Sequence, residues 1–181
     1  EYRDRIGAIT EARTIPQLRR FVEEGGTIIA VGSSTSLAAH FGLTLANALV
    51  EPNQTRALPP EKFYIPGSIL RAHADTAHPL AYGLPDTLDV FYSNNPLFRV
   101  PAEGAVRSVG WFGPDTVVRS GWAWGLDSVK GATAVAEADL GKGKLVLFGP
   151  PVAFRAHPHA TFKFLFNGLQ YAKAEAVTLR Y

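Results

Sequence analysis

A run of small hydroxyl-bearing residues near the amino terminus is the first place where the sequence predicts chemistry. Thr27–Val31 (TIIAV) is a short apolar segment, typical of a strand buried on both faces of a parallel sheet. Gly32–Ser36 (GSSTS) follows it and leads into residues with helical spacing. A strand, turn and helix in this order has the shape of a nucleophile elbow, which holds one side chain beside free backbone N–H groups. Ser33, Ser34 or Ser36 is therefore a candidate nucleophile, and the amides beside it are a candidate anion site.

A simpler interpretation of the same serines is helix capping. Serine and threonine side chains commonly accept hydrogen bonds from the first backbone amides of a helix. The complete G-x-S-x-G pattern is absent, because the local sequence is Gly-Ser-Ser-Thr-Ser. Capping is the favoured interpretation, and a serine hydrolase stays as an alternative.

A second group of candidates lies late in the chain, at His157-Pro-His159. A histidine here could act as a base for an elbow serine or bind a metal or other ligand. Catalytic zinc usually has three protein ligands, and the further ones would have to come from His73, His78 or a distant carboxylate. No H-E-x-x-H pattern supports such a site, so we predict no metal site and no cofactor in this chain. The alternative role of both histidines is capping or packing at a helix start.

Arg155 and a pair of tryptophans complete the candidate ligand-binding residues. Arg155 could bind a carboxylate or phosphate in bidentate fashion, or could pair with a buried aspartate to hold its loop. Trp122 and Trp124 lie in Gly121-Trp-Ala-Trp-Gly125, a composition that favours an exposed loop. With Trp111, Tyr64, Tyr82 and Tyr92 they could line a sugar or peptide groove, although most aromatic residues belong to the core.

Composition excludes several classes of function. The 181 residues include 46% hydrophobic residues and no cysteine, so the chain can form a core but has no disulfide and no cysteine nucleophile. The formal net charge of +2 is too small to indicate nucleic-acid binding. No apolar run approaches the ~20 residues that span a membrane, so we expect neither a nucleic-acid nor a membrane partner.

The spacing of apolar residues predicts the elements that must position these candidates. Ile15 to Val22 is predicted as an amphipathic helix ended by Gly25-Gly26, and 37–41 as a second helix. Short strands are expected between 69 and 120, in an insertion or an extra antiparallel part of the sheet. Residues 132–148 predict a hairpin, 159–172 a helix, and 176–180 a last strand.

Several of these stretches together resemble one family. Leu18 to Gly32 (LRRFVEEGGTIIAVG) and Leu140 to Gly149 (LGKGKLVLFG) look like the helix-strand segment and the late hairpin of class I glutamine amidotransferase-like domains. The combination of PGSIL at 66–70, HPLAYG at 78–83, SGW at 120–122 and FRAHPHATFKFLFN at 154–167 is narrower. It is similar to the amidotransferase-like domain that follows the catalytic domain in some bacterial secreted zinc carboxypeptidases of the carboxypeptidase A type.

This resemblance implies an α/β fold, a flavodoxin-like three-layer α/β/α sandwich with a mostly parallel sheet and an antiparallel late hairpin. It implies one domain over 1–181, with a first strand and a peptidase domain before Glu1, and a secreted or periplasmic location. Zinc would then belong to the parent peptidase. A working amidotransferase has a cysteine at the elbow, where this chain has Ser33 or Ser34, so the amidase activity is not expected to carry over.

Three functions follow as expectations. The first is a non-catalytic accessory domain that packs on, or assists, the zinc peptidase domain of its parent. The second is a peptide- or carbohydrate-binding module that uses the elbow amides, Arg155 and the tryptophans. The third is a serine hydrolase with an elbow serine as nucleophile and His157 as base, which requires that the two side chains meet.

Overall fold

The structure is a computed structural model that describes residues 7–51, 54–171, 174 and 177. Its helices and strands, numbered in chain order, are α1 (Thr14–Glu23), β1 (Thr27–Val31), α2 (Leu37–His40), β2 (Ala46–Asn47), β3 (Ser68–Ala74), β4 (Thr87–Tyr92), β5 (Phe98–Arg99), β6 (Val106–Trp111), β7 (Val118–Ser120), β8 (Thr133–Leu140), β9 (Gly143–Phe148) and α3 (Phe162–Tyr171). Short 3₁₀ turns join several of them, including one at Gly32–Ser36 and one at His159–Thr161. The chain is thus a mixed α/β fold, as predicted.

One nine-stranded sheet connects all the strands, and its main path runs β1-β9-β8-β6-β3-β4. Among the described residues only β1 and β9 pair in parallel, while every other pair is antiparallel. The expected mostly parallel sheet is therefore wrong for this chain. The antiparallel late hairpin is confirmed, since β8 and β9 pair from Val135–Phe148 to Leu140–Gly143.

The parallel corner of the sheet has a helix on each face. On β9, Leu145 and Leu147 pack in the same apolar cluster as Ile15 and Val22 of α1. The intervening β9 residues, Val146 and Phe148, pack instead in the cluster that includes Phe164 of α3. Alternate residues of a strand face opposite sides, so α1 and α3 cover opposite faces of β9. Burial of each such side chain contributes roughly 1.5–3 kcal/mol, which makes this strand the centre of the fold.

The segment before β1 is ordered by local rules that the sequence shows. Val22 of α1 is fully buried, while Arg19 and Arg20 point outward and pair with glutamates one turn later. Gly25 adopts φ +114°, and the Gly26 amide donates to the Phe21 carbonyl. A glycine with positive φ ends a helix without the strain a side chain would bring. The predicted helix and its glycine C-cap are confirmed.

The middle of the chain forms the antiparallel extension of the sheet that the short apolar runs predicted. Strand β3 alternates buried and half-buried residues along its whole length, and it pairs with β4, β6 and β7. The predicted last strand at 176–180 lies outside the described residues. None of the helices that the structure describes is long and apolar enough to cross a bilayer.

Candidate functional site

The predicted elbow lies at the carboxyl end of β1, which belongs to the parallel β1–β9 pair. Ser33 and Ser36 line a recess of about 260 Å³ beside the turn, and Ser34 is exposed. The Thr35 hydroxyl donates to the Gly32 carbonyl at 2.7 Å and so closes the turn on itself. Helix α2 has only four residues, which leaves little helix dipole to attract an anion.

The late histidines lie at the other edge of the sheet. The Phe154 ring stacks on Phe91 of β4, with centroids 4.5 Å apart, and the Arg155 guanidinium lies over the Phe154 ring. Strand β4 is five steps from β1 along the sheet, roughly 24 Å at about 4.8 Å per step. His157 and His159 are exposed in this segment.

The structure therefore does not bring the elbow serines and His157 together. No hydrogen bond joins them among the described residues, and the predicted nucleophile and base occupy opposite ends of the sheet. Arg155 is exposed and, within the same part of the chain, has no carboxylate partner, so it neither holds its loop by an ion pair nor faces the elbow recess.

A second recess, of about 390 Å³, continues from the elbow recess. The two share Asn47 and Pro96 in their linings, which makes them one groove across this end of the sheet. We call it the elbow groove. Its floor is apolar, and its far end is formed by Tyr64 and by Phe63, which is buried.

The polar groups of the elbow groove are neutral. Among the residues that the structure describes, neither recess has an aspartate, glutamate, lysine, arginine or histidine in its lining. Three asparagines line it, and each uses its side-chain carbonyl to accept a nearby backbone amide: Asn47 from Leu49 at 2.9 Å, Asn94 from Ile65 at 2.7 Å and Asn95 from Ser93 at 2.8 Å. Their side-chain NH₂ groups have no protein acceptor in the described part of the chain. They are donors for a ligand.

An aromatic rim stands at the Tyr64 end of the elbow groove. Tyr64 packs edge-on against Trp122 with centroids 6.2 Å apart, and its backbone pairs with that of Trp124. The Trp124 indole N–H donates to the Glu61 carbonyl at 2.7 Å, which fixes the ring. Trp122 and Trp124 are nonetheless 54% and 53% exposed. Large rigid rings held in place but half open to water are typical of ligand-contacting surfaces.

A charged network lies apart from this groove, under α3. Glu137 of β8 is fully buried, and its Oε1 accepts from Arg107 at 2.9 Å, from Lys144 at 3.1 Å and from Tyr171 at 3.3 Å. Burial alone would raise the pKa of Glu137, but hydrogen bonds from His78, Arg107 and Lys144 outweigh it and lower that pKa to about 2. The network keeps Glu137 ionised and ties the end of α3 to the sheet.

Sequence reasoning missed the asparagines of the groove and the buried charge of β8. Asn47, Asn94 and Asn95 sit in or beside turns, where asparagine is ordinary and gives no signal of binding. Within the described residues no group of three or more histidine, cysteine, aspartate or glutamate side chains is placed to hold a metal ion.

Comparisons with known proteins define the fold alone. No family model and no curated protein matches the sequence. Among solved structures, a protein described as ThuA-like from Bacteroides uniformis matches 92% of this chain at 12% identity with a TM-score of 0.51. One from Parabacteroides merdae matches 93% at 14% identity and 0.51, and a cytoplasmic protein from Salmonella typhimurium matches 88% at 12% identity and 0.50. The chain spans 65%, 67% and 60% of those three structures respectively.

These findings correct three expectations. The resemblance to the amidotransferase-like domain of zinc carboxypeptidases is contradicted, because two of these similar structures are described as ThuA-like proteins and none of the three as a carboxypeptidase or an amidotransferase. The description as part of a metallopeptidase is contradicted on the same ground. The secreted or periplasmic location is contradicted too, since the neighbours with a stated compartment are cytoplasmic proteins. What these structures share with this chain is its fold.

Proposed function

We propose that this chain is a non-catalytic carbohydrate-binding module and that the elbow groove is its binding site. The observation that carries the proposal is the uncharged lining of the groove, with three asparagine NH₂ donors that lack a protein acceptor and an aromatic rim at one end. A neutral ligand rich in hydroxyl oxygens matches such a surface, because it needs donors and apolar contact but no counter-charge.

The aromatic rim supports a sugar ligand in particular. A pyranose ring presents C–H bonds on one face, and these pack against the face of an indole or phenol ring. Trp122 and Tyr64 are half exposed, yet neighbouring residues hold both rings in place. Binding a ligand therefore costs little further side-chain entropy at these two residues. The two recesses have volumes of about 260 and 390 Å³, room for a short oligosaccharide.

The absence of an assembled catalytic set supports a binding role over the serine hydrolase alternative. An activated serine needs a base within hydrogen-bond reach. Ser33 and Ser36 line the groove, but no histidine or carboxylate does so in the part of the chain that the structure describes. We therefore assign the elbow serines a contact role at the narrow end of the groove.

The flavodoxin-like fold expected from the sequence resemblance is also part of this proposal. We propose that the parallel β1–β9 pair, with α1 and α3 on opposite faces, is the flavodoxin-like part of the molecule. The elbow groove then opens at the carboxyl ends of its parallel strands, the usual ligand position in such folds.

Calorimetric titration of the purified chain with neutral tetrasaccharides of glucose, xylose and N-acetylglucosamine tests the proposal. We expect binding of at least one of them with an affinity that is equal at about 0.05 and 0.5 M salt, because no charges are there to be screened. Trp122→Ala weakens it, while Tyr82→Ala, at a 77% exposed ring outside the groove, leaves it unchanged. No binding by the panel, binding of neutral peptides instead, or turnover of esters lost in Ser33→Ala would each contradict the proposal.

A further inference from the structure

The elbow end of the groove differs from the rest of the groove in its walls. This end is the recess of about 260 Å³ that Ser33, Ser36 and Asn47 help to line, and we call it the narrow recess. Leu97 and Phe98 also line it, and both side chains are buried. Buried side chains are closely packed by their neighbours, so this part of the wall keeps its shape when a ligand enters.

Small apolar side chains form much of the remaining wall of the narrow recess. Ala38 and Ala39 of α2 contribute methyl groups, and Leu45, which precedes β2, contributes its apolar side chain. Leu45 and Asn47 line the recess whereas Ala46 between them does not, because alternate residues of an extended segment face opposite sides. Such walls offer no hydrogen bond to a ligand hydroxyl, so they suit an apolar group of the ligand.

Three uncharged polar groups line the same narrow recess. The side-chain carbonyl of Asn47 accepts from the Leu49 amide at 2.9 Å, which leaves its NH₂ group as a donor. Ser33 and Ser36 are exposed, and the Ser36 hydroxyl makes no capping hydrogen bond to α2. A hydroxyl can accept as well as donate, so either serine can accept an N–H of a ligand. The recess therefore combines apolar walls with one amide donor and two hydroxyl acceptors.

An acetamido group has the matching combination of atoms. Its methyl group packs against Ala39 and Leu45, its carbonyl oxygen accepts from the Asn47 NH₂ group, and its N–H donates to one of the two serines. All of these protein groups line one recess of about 260 Å³, so a single small substituent can contact them together. A sugar hydroxyl in the same place would lose its bonds to water against apolar walls. The methyl group of a deoxy sugar would leave the Asn47 donor unused.

We propose that the elbow groove is selective for N-acetylated amino sugars, with the acetamido group of one sugar residue in the narrow recess. This proposal rests on the carbohydrate-binding function proposed for the same groove and adds the class of sugar. Asn47 lines both recesses, so the pyranose ring lies at their junction and the next residues of the saccharide follow the wider recess toward Tyr64. The narrow recess is smaller than the about 300–1,000 Å³ of pockets that enclose a whole ligand, as expected if it holds one substituent.

Calorimetric titration with three tetrasaccharides of the same linkage tests this proposal. They are built from N-acetylglucosamine, from glucose and from N-formylglucosamine, which lacks only the methyl of each acetamido group. We expect the N-acetyl compound to bind about tenfold more tightly than either of the others, the factor that one methyl group contributes in a fitted apolar pocket. Equal affinity of the N-acetyl compound and either of the others would overturn the assignment and leave the carbohydrate-binding function in place. No binding of any of the three would contradict that function itself.

A pair of matched variants tests the position of the acetamido group. Ala39 lines the narrow recess and is exposed, so Ala39→Leu fills the recess without changing the core. We expect this variant to lose about tenfold in affinity for the N-acetyl tetrasaccharide and to bind the glucose tetrasaccharide as before. Ala46→Leu adds the same side chain at an exposed neighbouring position outside the lining and should change neither affinity. Full N-acetyl selectivity in Ala39→Leu, or equal loss of it in Ala46→Leu, would contradict the assigned position.

Discussion

The elbow groove differs in its chemistry from a third recess on the same sheet, which has a volume of about 550 Å³, lies beside strand β6 and which we call the β6 cleft. Among the described residues the groove has no charged side chain in its lining, and the side-chain carbonyl of each asparagine accepts from the backbone, so the asparagines present N–H donors beside the serine hydroxyls. The cleft is lined by charged residues that include Asp75, Arg99 and Arg107, and Arg107 pairs with Glu137 and Asp139. The proposed ligand of the groove is therefore neutral, whereas the cleft presents charged side chains.

This difference shows where to look for a binding site when no catalytic motif is complete. The informative atoms are those that the protein holds in place without pairing them to another protein group, because a ligand can bind them with little further ordering. In the groove these atoms are the amide nitrogens of the asparagines, whereas Arg107 of the cleft is already paired with two carboxylates. Glu137 is structural for a different reason: its Oε1 accepts three hydrogen bonds from the protein, although its Oε2 is buried without a hydrogen-bond partner among the described residues.

The largest effect on stability is expected from substitution of Glu137, whose buried charge network we assign a structural role. Glu137→Gln leaves Arg107 and Lys144 without a buried carboxylate, and we expect a loss of about 3 kcal/mol in the free energy of unfolding, measured by urea denaturation. Asp127→Asn, which breaks an exposed pair with Lys130, should change it by less than about 1 kcal/mol. Equal effects of the two would show that the network is not structural.

The same residue predicts a pH dependence. The pKa of Glu137 falls from an ordinary 4.5 to about 2 on folding, so its ionised form stabilises the native state fully above pH 4.5. That contribution is lost as the pH falls from 4.5 toward 2, because the unfolded state then binds the proton first. Denaturation curves of wild type and Glu137→Gln across this window should converge at the acid end. If the difference in stability between wild type and Glu137→Gln stayed constant across this pH range, the lowered pKa of Glu137 would be contradicted.

The next effect concerns the support of the aromatic rim. Gly125 has φ +75°, and a Cβ there would lie 2.1 Å from the Lys62 carbonyl oxygen. We expect Gly125→Ala to cost about 2 kcal/mol in the free energy of unfolding and to displace Trp124, with loss of sugar binding. Gly7→Ala, where a Cβ meets nothing within 4 Å, is the matched control for both readouts. Unchanged sugar affinity in Gly125→Ala would mean that binding does not depend on this support of the rim.

A smaller effect is expected from Trp122 itself. Trp122→Ala removes a 54% exposed ring, so the fold loses little while the ligand loses a stacking surface. We expect tetrasaccharide affinity to fall roughly 10- to 30-fold, or about 1.5–2 kcal/mol, with the melting temperature nearly unchanged. The measurement is calorimetry beside a thermal melt. A large drop in melting temperature instead would make Trp122 a structural residue.

The smallest effect is expected from one groove donor. Asn47→Ser retains a short side-chain oxygen that can accept from the Leu49 amide, and it removes the free NH₂ group. We expect sugar affinity to fall by a factor of about three to ten, the value of one hydrogen bond. The test is sound if the melting temperature is preserved, and unchanged affinity would remove Asn47 from the site.

The parts of the fold that the sequence predicts are those set by local rules. The Gly25-Gly26 helix stop, the TIIAV strand and the late hairpin each follow from a few neighbouring residues. The direction of the sheet does not, because it depends on how the five short strands between 68 and 120 pair with distant partners. The apolar pattern of a segment predicts that it forms a strand in a sheet, but it does not predict which other strand pairs with it.

The binding residues divide in the same way. The half-exposed tryptophans between Gly121 and Gly125 were predictable, because glycine-flanked indoles suit a loop. Asn47 and Asn94 were not, because their binding role depends on which of their two polar atoms the backbone already uses.

The most direct test of the central claim is ¹H–¹⁵N NMR of the labelled chain during titration with the tightest-binding neutral tetrasaccharide. The account predicts that the side-chain NH₂ signals of Asn47, Asn94 and Asn95 and the indole signals of Trp122 and Trp124 shift together and saturate, while the Arg99 guanidinium signal stays in place. Shifts confined to the β6 cleft, or none in the five groove signals at saturation, would contradict it.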